Sequence, residues 1–421
     1  MKSISDIAAQ LQGYDPLALS ADMVNLFLSQ LAEPVQEIEQ VDVFNALGRV
    51  LADDLVSPIS VPPHDNSAMD GYAFDGSQLG ADSPLTLKVV GTALAGKAWQ
   101  GVVVAGQCVK IMTGAIMPKG LDTVVPQELV AVRDAEISVP PNLVRPGDNR
   151  RLKGEDLQQG RTALARGERL LPAASGLVAS LGLETVGVRR KLRVAYFSTG
   201  DEILSPGEAP REGAVYDSNR YTVSGLLSRL GCELIDMGVV RDDPALLEAA
   251  LSDAAQRADA IITSGGVSVG EADYTRAVMK KLGDVAFWRI AMRPGRPMAV
   301  GRIGNALLFG LPGNPVAVMV TFLAFVRPTL LRMMGARPAS PPLLKARSQT
   351  AMRKKPGRTE YQRGIVTQAQ DGSLSVCGTG NQGSGVLSSM VQANGLIVLQ
   401  HGQGNVAAGD QVDVMMFEGV V

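Results

Sequence analysis

Histidine, cysteine and aromatic residues are scarce in this chain. There are 2 histidines, 3 cysteines and 2 tryptophans among 421 residues. His64 and His401 lie in different regions, so histidine-based catalytic triads and zinc sites have little material. The cysteines are odd in number and show neither a CxxC pattern nor Cys/His metal spacing, which indicates reduced, mostly buried thiols.

An excess of charge of one sign is also lacking. The formal net charge is -2 and the pI is near 5.9. The sequence therefore offers no basic field for nucleic acid, and any binding of anions must be local.

Long hydrophobic runs are absent as well. The N-terminal residues contain no basic segment followed by an uninterrupted apolar core, so we expect no signal peptide and a cytoplasmic location. The most apolar stretch, Val316 to Val326, is followed by Arg327 and Pro328 after about half the length that spans a bilayer. We interpret this stretch as a buried helix that ends there, and we expect no membrane association.

The pattern of apolar residues changes along the chain. Short apolar runs punctuated by Gly and Pro fill residues 85–139 and 345–417. Each is typical of a small β-rich domain, the second a barrel or a sandwich. From Leu192 onward, strand-like and helical segments alternate, which predicts an α/β domain with a parallel sheet. Its predicted helices are Ser218 to Leu230, Pro244 to Ala258 and Ala272 to Leu282, and Gly231 is predicted to cap the end of the first of them. Near the N-terminus, residues 20–31 have helical spacing, with Ser20 as the predicted N-cap.

Three glycine-containing loops follow predicted strands of the α/β domain. They read FSTGDE (197–202), ITSGGVSVGEAD (262–273) and GLPGNPV (310–316). Ligands of open parallel sheets bind at the carboxyl ends of the strands, where glycines let the backbone approach an anion. Asn314 is predicted to cap the following helix, with Pro315 in its first turn, so that free N–H groups near Gly313 point outward.

Acidic residues occupy the same strand ends. They are Asp201, Glu202, Asp217, Asp242, Asp243 and Asp273. A helix cap is the alternative role for each, and it is favoured for Asp243 because Pro244 follows; for Asp217 both roles stay open. Glu202 and Asp273, which glycine-containing loops flank, are better candidates for holding a cation or activating water.

Three arginines interrupt the apolar segment FWRIAMRPGRPMAV. They are Arg289, Arg293 and Arg296. Any one of them is explained by a surface position, but a trio around Pro294 and Gly295 is better explained as an oxyanion clamp. By contrast, the loop VPPHDNSAMDGYAF, with Asp70, and the segment IMTGAIMPKG, with Thr113, acquire no role from their physical chemistry alone.

Taken together, these motifs resemble those of the MoeA family of molybdopterin molybdenumtransferases, which includes the E domain of gephyrin. The resemblance covers essentially the whole chain. It rests on PPHDNSAMDGYAF, MTGAIMPKGLDTVV, VRPGDNRRLKGED, FSTGDEI, VYDSN, RDDP, TSGGVSVGEADY, GLPGNPVAV, TGNQGSGVLSSM and ANGLIVL.

The resemblance implies an elongated multidomain α/β chain in four parts. These are a MogA-like, parallel-sheet pterin-binding domain (residues 1–31 with 188–335), a linking domain (32–57 with 151–187), a β-rich domain (58–150) and a C-terminal β-barrel (336–421). It also implies a homodimer in which the β-rich domain completes the partner's active site. Asp70 and Thr113 would then be catalytic residues acting in the partner's cleft.

The implied activity is hydrolysis of adenylylated molybdopterin, with release of AMP, and insertion of molybdate into its dithiolene, assisted by Mg²⁺. The acids implied in catalysis and in metal binding are Glu202, Asp242 and Asp273. The residues implied in substrate binding are Gly200, Asp201, Ser264, Gly265, Gly266, Pro312, Gly313, the three arginines, and Ser384 as a molybdate contact. A MogA-type adenylyltransferase and molybdoenzymes are the implied protein partners.

One departure from the family concerns the arginines. The usual K-P-G-K-P motif appears here as Arg293-Pro294-Gly295-Arg296-Pro297, and Arg289 also replaces a lysine. The planar guanidinium of arginine thus replaces the compact ammonium of lysine at a predicted oxyanion site. The preference between molybdate and tungstate therefore stays open. Two other functions remain alternatives: adenylylation of molybdopterin by ATP, and a gephyrin-like scaffold without enzymatic activity.

Overall fold

A six-stranded sheet forms the centre of the molecule. The computed structural model describes residues 3–266, 273–338 and 340–418, with only the backbone of Asp273. We label the strands β1 to β6 in chain order: Arg193–Thr199, Glu233–Val240, Ala260–Ser264, Gly283–Arg289, Pro297–Ile303 and Ala306–Leu311. Their order in the sheet is β2-β1-β3-β6-β5-β4.

The central sheet is mixed rather than wholly parallel. Strands β2, β1, β3 and β6 run parallel, as predicted. Strand β5 runs antiparallel to both β6 and β4. The reason is local: β5 and β6 are joined by the two-residue turn Gly304-Asn305, in which Gly304 has φ +58°. Such a turn forms a hairpin and excludes a parallel crossover.

Helices cover both faces of this sheet. They are Ile4–Gln10, Ala21–Leu31, Ser218–Leu230, Pro244–Arg257, Asp273–Leu282 and the long helix that follows β6. Alternate residues of β1 pack into separate cores, with Tyr196 in one and Phe197 in the other. This alternation is what a strand buried on both faces requires.

Several predicted helix ends are confirmed by their caps. Ser20 accepts a hydrogen bond from Met23 N, and Asp243 accepts hydrogen bonds from Ala245 N and Leu246 N. Gly231 ends the helix Ser218–Leu230 in the left-handed conformation, with φ +87°. These capping residues lie within a few residues of the helix ends that they stabilise, which explains why the sequence alone locates those ends.

The long helix continues past the predicted end at Arg327. It consists of Pro315–Thr321, a π-helical stretch Phe322–Val326 and Arg327–Met333. Arg327 N donates to Phe322 O, and this wide turn lets the helix continue through Pro328, which has no N–H to donate. The complete helix, Pro315–Met333, is long and apolar enough to cross a membrane, but 67% of its apolar window is buried inside the protein. It therefore has the surroundings of a core helix.

The N-terminal half carries a second six-stranded sheet. Its strands are Gly71–Phe74, Leu85–Ala93, Gln107–Ile111, Thr123–Pro126, Ala131–Arg133 and Glu136–Val139. Between it and the central sheet lies a linking region of short strand pairs with its own small core and one helix, Pro172–Ser180. The pairs are Ile38–Asp42 with Thr185–Arg189, Leu55–Val56 with Thr162–Leu164, and Asn66–Ser67 with Arg150–Arg151.

The C-terminal region is a closed five-stranded barrel. Its strands are Leu344–Ser348, Thr359–Gln368, Leu374–Gly378, Gly395–Leu399 and Gln411–Met416. Closure follows because Thr359–Gln368 pairs with both Leu374–Gly378 and Gly395–Leu399. The predicted barrel is therefore confirmed. A short strand from the α/β domain, Met292–Arg293, pairs with Thr359–Glu360 and joins the barrel to the central sheet.

Candidate functional site

The three glycine-containing loops meet at one edge of the central sheet. Strands β1, β3 and β6 are parallel and end at Thr199, Ser264 and Leu311, so the loops leave from the same side. The chain leaves β1 toward β2 on one side and returns to β3 on the other, which makes β1 and β3 the switch point of the sheet. Ligands of this architecture bind in the crevice outside such a switch point.

Glycine is required where the loops touch. Gly265 has φ +95°, and a Cβ at this position would lie 2.4 Å from Thr199 O. Gly265 N donates to Leu311 O over 3.2 Å, which connects the ends of β3 and β6. Gly200, with φ +146°, leaves room for the Glu202 carboxylate, which would lie 2.4 Å from an added Cβ. These contacts bring the predicted residues Gly200, Gly265 and Gly266 together at one place.

A buried hydroxyl network lies beneath these loops. The hydroxyls of Tyr196 and Ser264 share a hydrogen bond of 2.7 Å, and Ser198 Oγ lies 3.3 Å from Ser264 Oγ. Burial raises the pKa of Tyr196 well above its usual range, so the phenol stays neutral and can donate. The Ser264 hydroxyl is therefore held in place by buried hydrogen bonds at the point where the glycine loop leaves β3.

Asn219 joins two of the loops and was not singled out by the sequence reasoning. Its Nδ2 donates to Gly313 O over 2.7 Å and to Ser264 Oγ over 3.5 Å. The side chain is buried, and its Oδ1 has no hydrogen-bond partner in the described part of the chain. The VYDSN motif was the available signal, because it placed an amide directly after a strand end.

Replacing Asn219 with alanine is expected to weaken ligand binding at the cleft. The substitution removes the bridge between Ser264 and Gly313, and losing a buried donor costs about 1–3 kcal/mol. For AMP, the product that the family resemblance implies, we expect the dissociation constant to rise about 5- to 100-fold, because each 1.4 kcal/mol is a factor of ten. Calorimetric titration measures the affinity, and chemical denaturation checks that the variant is folded. Unchanged AMP affinity in a folded variant would show that the bridge does not position the loops.

The GLPGNPV loop faces the barrel as well as the central sheet. Ser384 O accepts a hydrogen bond from Val316 N over 3.1 Å, so the barrel segment that carries Ser384 reaches the start of the long helix. Pro312 is buried, whereas Gly313 and Asn314 are exposed. Asn314 occupies the N-cap position as predicted, but its side chain forms no cap hydrogen bond. The structure thus brings Ser384 and Gly313 to one cleft between the α/β domain and the barrel.

The acidic residues divide into caps and exposed groups. Asp217 Oδ1 accepts a hydrogen bond from Arg220 N, which settles the open alternative in favour of a cap. Asp242 lies beside β1: its carboxylate accepts from Thr199 Oγ1 over 3.0 Å, and its N–H donates to Asp201 Oδ1 over 3.3 Å. Burial raises the pKa of Tyr274, and a hydrogen bond with Asp242 raises it further.

Of the predicted metal ligands Glu202, Asp242 and Asp273, the structure describes the side chains of Glu202 and Asp242. No group of three or more Asp, Glu, His or Cys side chains that could hold a metal ion occurs among residues 3–266, 274–338 and 340–418. The Asp273 side chain lies outside the described residues, as do residues 267–272. Glu202 and Asp242 are exposed at the same sheet edge, with Asp201 in contact with Asp242.

The predicted arginines also lie at the carboxyl edge of the sheet. Arg289 ends β4 and pairs with Pro297, the first residue of β5, next to Arg296. All three arginines are exposed. Arg293 lines a small cavity between the turn at Pro294 and the barrel, whereas no described contact joins Arg289 or Arg296 to the glycine loops. Among the described residues, Arg293 is therefore the one of the three that lines a cavity beside the barrel.

Arg363 is a second cation in that cavity, and sequence reasoning missed it. Its side chain is 1% exposed, Nε donates to Ser389 Oγ over 2.9 Å, and Nη2 donates to Gly383 O over 2.9 Å. It has no carboxylate partner in the described parts of the chain. Burial lowers the pKa of Arg363, and the positive charge of Arg293 lowers it further. An available signal was an arginine inside an alternating barrel strand.

Asp70 and Thr113 lie together, outside this cleft. Both Thr113 N and Thr113 Oγ1 donate to Asp70 Oδ1 over 2.7 Å, and these hydrogen bonds stay within the N-terminal sheet region. The donated hydrogen bonds of Thr113, the main-chain one first, hold the pKa of Asp70 below its usual value. The pair is an exposed, ionised carboxylate on a rigid support.

Replacing Thr113 with valine is expected to raise the pKa of Asp70 part of the way to its usual value. The hydroxyl hydrogen bond is lost, whereas the main-chain hydrogen bond remains. Because the folded-state pKa is depressed, the stability it contributes is present above the unfolded pKa and is lost as pH falls through the folded one. NMR titration of the Asp70 carboxyl measures the shift. Identical pKa values in both proteins would mean that the hydroxyl does not bind the carboxylate in solution.

The fold defines a class of multidomain α/β proteins with a cleft between the carboxyl edge of a switch-point sheet and a barrel. Comparison with known proteins gives the family. Residues 19–182 match the MoeA N-terminal region (domain I and II), residues 195–332 match the probable molybdopterin binding domain, and residues 345–417 match the MoeA C-terminal region (domain IV).

Individual relatives agree over nearly the full length. The molybdopterin molybdenumtransferase of Haemophilus influenzae is 42% identical over 93% of this chain and 96% of its own length. That of Nostoc sp. is 35% identical over 96% and 95%. The crystal structure of the molybdopterin biosynthesis moeA protein from Pyrococcus horikoshii covers 95% of this chain and 100% of its own, with a TM-score of 0.80 and 27% identity. The chain belongs to the MoeA family.

Proposed function

We propose that this protein is a molybdopterin molybdenumtransferase that acts in molybdenum cofactor biosynthesis. It releases AMP from adenylylated molybdopterin and inserts molybdate into the dithiolene. The observation that carries the proposal is the meeting of three glycine-containing strand ends with the barrel segment around Ser384 at one cleft. The names of relatives that align over more than nine tenths of this chain support the same activity.

The chain's own residues divide the anionic substrates between two parts of the cleft. The glycine loops at Gly265 and Gly313 offer close backbone approach to the phosphate groups of the pterin nucleotide. Arg293 and the buried Arg363, beside the loop with Ser384, line a cavity of about 30 Å³ in which the third charged residue, Glu360, is already paired with Arg358. The two guanidinium groups supply the donors that bind oxyanions. We assign the phosphates to the glycine loops and molybdate to the arginine pocket. Arg289 and Arg296 add positive charge at the rim.

Mg²⁺ fits the acids on the phosphate side. Magnesium is held in proteins by one or two carboxylates together with substrate phosphates, and it does not require a cage of protein ligands. Asp201 and Asp242 are exposed and adjacent, and their carboxylates form no ion pair in the described chain, so they would hold the ion. Glu202, which follows Asp201, and Asp273, at the start of the helix Asp273–Leu282, are further candidate ligands. When bound, the ion offsets the negative charge of the phosphoric anhydride.

The protein acts as a homodimer in the cytoplasm, in this proposal. The motive is the Asp70–Thr113 pair, an exposed carboxylate that Thr113 holds in place and that forms no ion pair in the described part of the chain. In a dimer this pair enters the partner's cleft. Adenylylated molybdopterin then comes from a MogA-type adenylyltransferase, and the product passes to molybdoenzymes.

The test is turnover by the purified protein. With adenylylated molybdopterin, Mg²⁺ and molybdate, we expect molybdate-dependent formation of the cofactor and release of AMP. Glu202→Gln is expected to abolish both, whereas Glu212→Gln, an exposed acid further along the chain, is expected to leave both unchanged. A folded protein that forms no product above the blank would overturn the proposal.

The two alternatives give different results in the same experiment. An adenylyltransferase would consume ATP when supplied with free molybdopterin, which the proposed enzyme does not do. A scaffold would form no product with either substrate, and Glu202→Gln would leave cellular molybdoenzyme activity unchanged. This chain aligns with the family over its N-terminal region and its barrel as well as its central domain, which supports the transferase over both alternatives.

A further inference from the structure

A second concave site lies at the opposite edge of the central sheet from the cleft. It is a cavity of about 340 Å³ where the linking region meets the α/β domain. Arg189, on one wall, comes just before the start of β1, and Gly335, on another, follows the end of the long helix. The cleft instead lies at the carboxyl end of β1, roughly 20 Å away along a strand of this length.

Main-chain hydrogen bonds hold the walls of this cavity in place. Arg337 N donates to Gly167 O over 2.8 Å, and Gly167 N donates to Leu51 O over 2.9 Å. Gly167 has φ +81°, and a Cβ there would lie 3.0 Å from Gly335 O, so glycine lets the two walls approach. The cavity is therefore preformed by hydrogen-bonded backbone.

Three arginines line this cavity without a counter-charge of their own. Arg166, Arg189 and Arg337 form no ion pair in the described chain. Asp54 is the one acid among the described lining residues, and its Oδ1 accepts a hydrogen bond from Arg166 N over 2.7 Å. Neighbouring Arg190 differs, because it pairs with both Asp259 and Glu37. The local formal charge is +2, in a chain whose net charge is -2.

In the guanidinium groups of Arg189 and Arg337, one nitrogen of each donates a hydrogen bond to a main-chain carbonyl. Arg189 is 7% exposed, and its Nη1 donates to Gln36 O over 2.8 Å. Arg337 Nε donates to Arg166 O over 3.1 Å. In the parts of the chain that the structure describes, the Nη2 groups of both arginines form no hydrogen bond. A buried guanidinium without a counter-ion costs free energy, which an anion in the cavity would recover.

We propose that this cavity binds a doubly charged phosphate group, either inorganic or carried by a small organic molecule. Two planar forks can each bind phosphate oxygens in pairs, and the local charge matches a dianion. The volume is at the lower end of about 300–1,000 Å³ typical of small-molecule sites. The proposal does not depend on the function proposed above.

The test compares anion binding by variants of the full-length protein. Inorganic phosphate, pyrophosphate and glycerol 3-phosphate are titrated by calorimetry at constant ionic strength. Arg189→Gln and Arg337→Gln are each expected to weaken binding of at least one probe by tenfold or more. Arg257→Gln, which removes an exposed arginine paired with Asp253, serves as the matched control and is expected to bind as the unmodified protein does. Preference for glycerol 3-phosphate identifies an organic ligand, and preference for the other two an inorganic one.

Arg337 is exposed, so its substitution keeps the test decisive if Arg189→Gln fails to fold. Binding that is equal in Arg337→Gln and Arg257→Gln overturns the proposal. If Arg293→Gln abolishes phosphate binding while Arg189→Gln and Arg337→Gln leave it unchanged, the anion lies in the cleft and the proposal is also overturned. The absence of any binding to the unmodified protein does the same.

Discussion

Gly265→Ala is expected to abolish product formation in a protein that still folds. The added methyl would lie 2.4 Å from Thr199 O, and Thr199 is fixed in the central sheet by pairing with Val240. The loop must therefore move away from the strand. An L-residue at this φ costs about 1–2 kcal/mol, and overpacking adds about 1–3 kcal/mol. Displacement of the loop removes the backbone groups that we assign to the phosphates.

Gly207→Ala is the matched control for this substitution. Gly207 has the same φ of +95°, but an added Cβ would meet no atom within 4 Å. The two variants share the backbone strain and differ in the overlap with Thr199. Product formation and AMP affinity, measured beside the free energy of unfolding, separate the two effects. Equal activity in both variants would mean that the close contact at Gly265 does not shape the site.

The parts of the fold that the sequence predicts well are those fixed by neighbours in the chain. The cap at Asp243 and the left-handed glycine at Gly231 involve hydrogen bonds that span only a few residues. The glycine loops are equally local, because their place after apolar strands identifies them. Their convergence also follows from sequence, since parallel strands end at one edge of the sheet.

The parts that the sequence does not predict depend on distant contacts. The long helix passes Pro328 because a π turn absorbs the missing donor, and tertiary packing stabilises that turn. Asn219 acquires its role only when Gly313, distant in the sequence, comes within 2.7 Å. The turn at Gly304-Asn305 is different, because a two-residue Gly-Asn turn between two apolar runs is itself a sequence signal for a hairpin. The alternation of strand-like and helical segments, which predicts a parallel sheet, does not take that signal into account.

The arginine pocket illustrates the same limit at the site itself. Arg293 was predicted from its motif, whereas Arg363 lies in a barrel strand that carries no motif for anion binding. The two side chains line one cavity only because Met292–Arg293 pairs with the start of the strand Thr359–Gln368. Periodicity in the sequence does not reveal strand pairing between separate domains, so it does not reveal that Arg293 and Arg363 line one cavity.

Arg363→Met is expected to reduce molybdate-dependent product formation by at least about 100-fold while changing stability little. Loss of two hydrogen bonds from a charged group to an oxyanion, about 1.5–3 kcal/mol each, corresponds to at least that factor. The free energy of unfolding behaves differently. The substitution loses the hydrogen bonds to Ser389 and Gly383, but it also removes a buried charge that has no carboxylate partner in the described chain. We expect these effects to offset each other within about 1–2 kcal/mol.

Lys345→Met is the matched control for Arg363→Met. It also removes one positive charge from the barrel, but Lys345 is exposed and pairs with Asp413 at 2.6 Å. Such surface pairs contribute about 0–1 kcal/mol, so both activity and stability should stay near those of the unmodified protein. The decisive comparison is the dependence of rate on molybdate concentration at saturating pterin substrate. If Arg363→Met is destabilised by several kcal/mol yet reaches normal rates at normal molybdate concentrations, the buried guanidinium supports the barrel and does not bind the oxyanion.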